Sequence, residues 1–403
     1  MYFCINFAII VNFINLGIFQ GGMPTIYDVF AAVIEHAPCA AKDLPFVGRV
    51  YAQLDTLVKE GLLEKEGTRF VPKKTERATR IFTIIRYSLK RGLNHNIFFS
   101  KNTPTIVKEL FKHAPDMRPA RLRGNQDMTR TLTFFEENQF ILLTQLRPRR
   151  GIVLEHTLFN EILSLNEDRT EPKQIPCIPV EERLLRLPEE RVNPFDEKVF
   201  DFLSGSAQLE GSTVTPGETK EMLLNDIYPD KPKNDIQMVK NLNEAMHYLL
   251  ENLAEEITPE RIQEVNKAVL FSLNRAAGRY KKTQNKIHGN PRFTTATPEE
   301  VPRKMDDYCR FLASITTKEA CAKELGRIHN ELQHIHPFTD GNSRTTRMIV
   351  NWMLLKHKLP LLVLKNGCFE AYMNRTKLAK KRDDEELKLL LQQVLYHESI
   401  RKR

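Results

Sequence analysis

The chain has no cysteine framework. Its six cysteines, at positions 4, 39, 177, 309, 321 and 368, include no CxxC pair and no spacing with histidine that would ligate a metal. That excludes a disulfide-stapled secreted fold and a zinc module, and the thiols read as reduced, as in the cytoplasm. Charge of one sign is not in strong excess: 60 Lys and Arg against 51 Asp and Glu leave a net +9 and a pI of about 9.1. This suits an anionic ligand but is too modest for 403 residues to argue nucleic-acid binding by itself. Long apolar runs are scarce too, with one exception. From Tyr2 to Met23 there is no charged residue, and the first is Asp28. The run lacks the cationic start of a secretory signal, and Asn6, Asn12 and Asn15 interrupt it. We read residues 1–22 as an apolar leader ahead of a true start at Met23, and expect no membrane anchor. The remaining composition, 41% hydrophobic and 28% charged, is that of a soluble globular protein with two or three domains.

What is present is concentrated between His336 and Arg347, which read HPFTDGNSRTTR. Leu325, Ile328, Leu332 and Ile335 ahead of it lie on one helical face. Pro337 disfavours helical geometry at His336, so that helix should stop there. Met348, Ile349, Trp352, Met353 and Leu355 then resume a helical pattern up to Leu359-Pro360. The loop therefore feeds a helix start, with unpaired N–H groups and about half a positive charge. A turn at Gly341 and Asn342 can curl amides into an anion nest, and Arg344 and Arg347, three apart, add two cationic forks. Asp340 at the edge of the nest is suited to Mg²⁺ shared with phosphate. A neutral His336 imidazole is available as a general base.

This string resembles the core motif of the Fic family, HxFx[D/E]GN[G]RxxR, with Ser343 where glycine is usual. A serine there keeps its backbone N–H, while its Cβ bears on the approach of phosphate. The resemblance spans Asp196 to Leu395, about half the chain. Lys286–Phe293 with Thr297–Pro302 is similar to the family's β-hairpin flap, Ala277–Tyr280 to the segment before it, and Asn241 with Ala245 to another of its helices. Ser206-Ala-Gln-Leu-Glu210-Gly211 is similar to the inhibitory signature [S/T]xxxE[G/N].

The resemblance implies a protein adenylyltransferase moving AMP from ATP, with Mg²⁺, to a Ser, Thr or Tyr hydroxyl of a target protein or of the chain itself. In that scheme Gly341, Asn342 and Ser343 cradle phosphate, Arg344 and Arg347 steady the outer phosphates, and Asp340 holds the metal. The flap residues His288, Gly289, Asn290, Phe293 and Thr294 dock the target, and His336 takes the proton. Ser206, Glu210 and Gly211 belong to the inhibitory helix, whose glutamate pairs with Arg347. Two rival functions remain open: a DNA-binding regulator with a low-activity Fic domain, and a de-AMPylase. Phosphotransfer in the style of the Doc branch is disfavoured, since lysine stands there in place of Ser343.

The N-terminal half reads differently. Tyr27–Glu35 and Asp43–Glu60 are helical regions, and Gly61–Val71 gives two short strands around Glu66-Gly67, as in a winged helix-turn-helix. A second such module is suggested by helices at Thr105–Lys112 and Asn125–Asn138. Strands at Phe140–Thr144 and Gly151–Leu154 follow, flanking a basic turn, Arg147-Pro-Arg-Arg150. Arg121, Arg123 and Arg130, with the basic stretch Lys73 to Arg91, make DNA a candidate partner. From Glu167 to Asp196 five prolines mark a linker. The fold expected is therefore mainly α: winged-helix modules at 23–100 and 101–166, a linker at 167–195, and a Fic-type helical bundle with a small β-hairpin flap at 196–403. The sequence leaves a homodimer open and predicts a frayed tail from His397 to Arg403.

Overall fold

A computed structural model describes residues 23–46, 50–112, 126–147, 149–166, 179–287 and 289–401. The leader, Arg121, Arg123, residues 167–178 of the expected linker and His288 of the flap lie outside the described residues. The described part is mainly helical, with two small antiparallel sheets. None of its helices is long and apolar enough to cross a membrane. The chain divides into two compact units, Met1–Lys108 with Thr157–Glu171, and Glu109–His156 with Pro172–Arg403.

The first unit begins with α1 (Ile26–His36), where Thr25 and Asp28 form a reciprocal capping box. Strand β1 (Cys39–Ala40), helix α2 (Tyr51–Lys59), β2 (Leu63–Glu66), β3 (Arg69–Pro72) and α3 (Glu76–Lys90) follow. The sheet order is β1-β3-β2, and the hairpin expected around Glu66-Gly67 is present, its turn relying on Gly67 at φ 62°. Val29, Phe30, Leu54, Leu57, Phe70 and Ile81 form the core. Each contributes about 1.5–3 kcal/mol by leaving water. Helix α4 (Thr103–Lys112) lies at the division between the units, and α6 (Thr157–Leu165) packs on α3, with Arg80 bridging to Glu161 at 2.7 Å.

The second unit holds α5 (Gln126–Glu137), β4 (Ile141–Leu146), β5 (Arg149–Val153) and α7 (Glu181–Leu185). Then come α8 (Glu197–Gln208), α9 (Pro216–Asn225), α10 (Lys233–Glu251), α11 (Pro259–Val269), α12 (Val301–Ser314) and α13 (Lys318–Lys323). It closes with α14 (Leu325–Ile335), α15 (Asn342–Lys356), α16 (Phe369–Arg375) and α17 (Asp384–Arg401).

Three sequence expectations change here. The stretch 101–166 is divided between the units, and its hairpin β4–β5 packs on α17 instead of standing as a wing. The tail is also not frayed: α17 runs to Arg401, with His397 and Glu398 buried. The reason is polar. Leu143 N–H donates to His397 Nδ1 (2.8 Å), and His397 Nε2 donates to the Glu136 carbonyl (2.9 Å). Gln139, at φ 61°, donates to Glu398 and to the Val363 carbonyl. These side chains satisfy backbone groups that burial would otherwise leave orphaned. Arg149 of the expected basic wing is tied to Glu136. The linker region also carries structure, with Leu184 of α7 buried and Arg183 donating to the Thr144 carbonyl.

Helix α15 is the centre of the unit. Every residue from Asn342 to Leu355 is buried, so its polar positions must find partners inside the protein.

Candidate active site

Helix α14 ends where Pro337 requires it to. His336 turns to a left-handed conformation, φ 50° and ψ 58°, and its N–H closes on the Leu332 carbonyl. A non-glycine residue there costs about 1 kcal/mol or more, and such strain gathers at functional sites. Gly341 takes the second left-handed position, φ 74°, and a Cβ there would meet Asn266 Nδ2 and Leu270 Cγ at 3.0 Å. Asn342 locks the loop between them. Its Oδ1 accepts from Phe338 N–H (2.9 Å) and its Nδ2 donates to the Phe338 carbonyl (2.7 Å). The Asn342 side chain is thus structural, and only its backbone N–H is available to a ligand.

His336 is buried, and its Nδ1 lies 3.2 Å from the Gln333 carbonyl. The proton therefore belongs on Nδ1, which leaves the Nε2 lone pair as a base. Burial pushes its pKa down to about 4, the Gln333 bond opposes this, and the ammonium groups of Lys281 and Lys377 lower it further. The imidazole is neutral at pH 7.

Around the start of α15 the cations are arranged unequally. Arg344 is buried and reaches the half-exposed Asp340 at 3.3 Å through Nη2, while its Nε and Nη1 have no protein partner. Asp340 also accepts the Gly341 N–H at 2.6 Å, so the first nest amide is already engaged. Arg347 is fully engaged. Its Nε donates to Ser206 Oγ (2.8 Å), and its Nη2 to the Ser206 carbonyl (2.9 Å) and to Glu210 Oε1 (2.9 Å). Ser206 lies on α8 and Glu210 just beyond its end; Gly211 follows at φ 98°, where other residues are strained. Lys377 stands 3.4 Å from Glu210 Oε2. Burial alone would raise the Glu210 pKa, but Arg347, Lys377 and Arg344 hold it at about 2.

Orphaned guanidinium donors beside an uncapped helix start fit a phosphate chain. Among the described residues no three His, Cys, Asp or Glu side chains gather as a metal site. Asp340 therefore fits a divalent cation whose other ligands come from phosphate and water.

Residues 256–354 match the family model described as Fic/DOC family. This chain carries a Fic/DOC-family domain. It is similar to the protein adenylyltransferase fic-1 of Caenorhabditis elegans, 29% identical over 175 residues, which are 42% of this chain and 34% of that protein. It is equally similar to the protein adenylyltransferase Fic of Nematostella vectensis, 29% over 175 residues, 42% and 40% of the two chains. The chain thus matches about two fifths or less of the length of these relatives. Among solved structures, a C. elegans Fic-1 fragment aligns with a TM-score of 0.45 and 18% identity, over 81% of this chain and 91% of that one.

In this Fic domain the expected flap departs from the sequence reading. The described residues between Lys281 and Thr297 form no strand pair; the ladder contact here is a single bridge, Tyr280 to Phe338. Asn290 and Phe293 point inward as anchors. Asn290 Nδ2 donates to the carbonyls of Lys377 and Ala379, both at 2.9 Å, and Phe293 stacks on His334 at 4.3 Å. Gly289 and Thr294 remain exposed.

Several site residues were missed from the sequence. Asn266, fully buried on α11, donates to the Asp340 carbonyl and to Thr345 Oγ1, and accepts from Gly278 N–H. A polar residue among Ile262, Val265 and Val269 was the available signal. Tyr372 on α16 bonds His329 at 2.6 Å. Lys281 is buried below the flap, which pushes its pKa down to about 8. Lys377 and Lys281 carried no local signature.

Proposed function

We propose that this protein is an adenylyltransferase that moves AMP from ATP to a hydroxyl side chain of a target protein, and that Glu210 holds it in check. The observation that carries this reading is the ion pair of Glu210 with Arg347, 2.9 Å long, one helical turn from an arginine with orphaned donors and beside a neutral histidine. The names of the relatives, protein adenylyltransferases, support it.

Chemically the residues divide the work as follows. The helix-start amides of Asn342, Ser343 and Arg344, with the Arg344 guanidinium, hold the phosphates. His336 Nε2 takes the proton of the target hydroxyl as its oxygen attacks the α-phosphorus. The new bond is oxygen to phosphorus. The bond that breaks joins that phosphorus to the bridging oxygen, and pyrophosphate leaves with the electron pair. Asp340 would hold Mg²⁺, which supplies charge neutralisation along the phosphates. Arg347 serves the γ-phosphate only when Glu210 lets it go, so the resting enzyme is slow. Gly289 and Thr294, the exposed residues of the flap set, are read as those that meet the target.

The first unit, with its helices followed by a hairpin, is read as a winged-helix module that recruits a partner. Its surface does not favour DNA: Arg77 is paired with Glu60, and Arg80 with Glu76 and Glu161. Cys39, Cys309 and Cys321 are buried thiols outside any disulfide, which supports a cytoplasmic setting.

Intact-mass spectrometry after incubation with ATP and Mg²⁺ tests the reading. Glu210→Gly should acquire AMP adducts that wild type acquires slowly, and Glu210→Gly with His336→Ala should acquire none. Equal adduct levels in all three proteins would rule out this assignment of roles.

A further inference from the structure

The core string departs from its family at Ser343, and the structure shows what the serine does. Its side chain is buried and turned away from the helix start toward α14, where Gln333 Nε2 donates to its Oγ at 3.1 Å. Gln333 is itself buried, and its Oε1 lies 3.2 Å from the hydroxyl of Thr346. That hydroxyl also reaches the Asn342 carbonyl at 2.9 Å, so its one proton is shared. The backbone carbonyl of the same Gln333 accepts from His336 Nδ1.

One residue therefore touches both halves of the site. Through its carbonyl it fixes the tautomer and ring plane of the base; through its side chain it grips the first turn of α15, where the phosphate amides sit. We propose that Gln333 and Ser343 form a brace that keeps the His336 ring in register with the phosphate-binding turn, making Gln333 a positioning residue for the transfer. This rests on the adenylyl-transfer reading above. The two polar groups are a matched set. Glycine at 343 would leave a buried amide hydrogen without an acceptor, and an apolar residue at 333 would leave a buried hydroxyl without a donor. His336 needs such support because its left-handed backbone is strained. A crowding Cβ at Ser343, the expectation from sequence alone, predicts that glycine there speeds the reaction. The brace predicts the reverse.

The test uses the full chain in the Glu210→Gly background, with rates normalised to ATP-binding sites counted by calorimetry. Ser343→Gly should lower kcat about tenfold with KM for ATP changed less than about twofold, since small displacements at a reacting centre act on the rate more than on ground-state binding. Gln333→Met should do the same. The double variant should be no slower than either single one, and Ser343→Thr, which keeps the hydroxyl, should retain most of the rate. Faster turnover in Ser343→Gly, a rise confined to KM, or single effects that multiply in the double variant would each overturn the brace. A second readout does not depend on AMP transfer. Nitrogen-15 NMR of the His336 ring should show the Nδ1-protonated form in the parent and in Gln333→Met, because the backbone carbonyl stays, but with ring-nitrogen shifts displaced in the variant as the ring leaves its register. An unchanged ring spectrum would refute the brace, whereas a parent that binds ATP but transfers no AMP would refute the transfer reading and leave the brace to the ring spectrum.

Discussion

At Glu210 a carboxylate stays charged in a place where burial opposes charge, and the sign of its shift bears on regulation. Its pKa is held near 2, below the ordinary value of 4.5, so the stability it lends to the resting state is complete above about 4.5 and lost as pH falls toward 2. Protonation therefore does not release Arg347 in the neutral range. The ratio of transfer rates between Glu210→Gly and wild type should stay constant from about pH 6 to 9; a ratio collapsing toward one at the acid end would show a different latch. Histidines act in the opposite range. His329, His336 and His397 are buried and held neutral, with pKa values pushed down to about 3, 4 and 4 by desolvation. The unfolded chain protonates them near 6.5, so it binds more protons between about 6.5 and 4, and folding stability falls as pH drops through that window. Each contributes up to about 1.4 kcal/mol per pH unit. Urea midpoints should be clearly lower at pH 5 than at pH 7.5, and identical midpoints would contradict the neutral assignments.

In the proposed scheme control depends on helix α8, and its position is set sterically. A Cβ on Gly205 would lie 2.3 Å from the Leu364 carbonyl, so the helix can approach that backbone only because the residue is glycine. Lys365, next along, pairs with Asp201 on the same helix at 2.9 Å and with Glu398 of α17 at 3.7 Å. Gly205→Ala should push α8 outward, raise AMP transfer several-fold and lower Tm by a few degrees, for a cost of about 1–3 kcal/mol. A variant as slow and as stable as wild type would mean that α8 is not held this way. Helix α17 has a comparable role for the β4–β5 hairpin. His397→Leu removes two hydrogen bonds to buried backbone groups and should cost about 2–4 kcal/mol in urea unfolding; a change within a few tenths would return the tail to the frayed state expected from sequence.

Across the whole molecule, legibility in the sequence followed how local the physics was. The end of α14 at His336, the left-handed Gly341 and the β2–β3 hairpin follow from Pro337, Gly341 and Gly67, each acting on its own backbone. The pairing of Glu210 with Arg347 joins residues 137 apart and was legible only through the resemblance of both segments to family motifs. Asn266, Tyr372 and Lys377 join the site through tertiary contacts and left little or no trace in local pattern. The tail misled for the same reason. His397 and Glu398 look like surface residues in sequence, but the groups they bond, the backbone of Leu143 and Glu136 and the side chain of Gln139, lie about 260 positions away. Within the basic segments, Arg80 and Arg149 are already paired with carboxylates. Titration with duplex DNA should accordingly show little binding and a shallow dependence on salt; a steep slope would restore the regulator reading.

The central claim is that the pocket at the start of α15 transfers the α-phosphoryl group and that Glu210 restrains it. Parallel incubations of Glu210→Gly with α-labelled and γ-labelled ATP test it most directly. The account predicts label on protein from the α position alone, lost when His336→Ala is added. Label from the γ position, or none from either while ATP still binds, would contradict it.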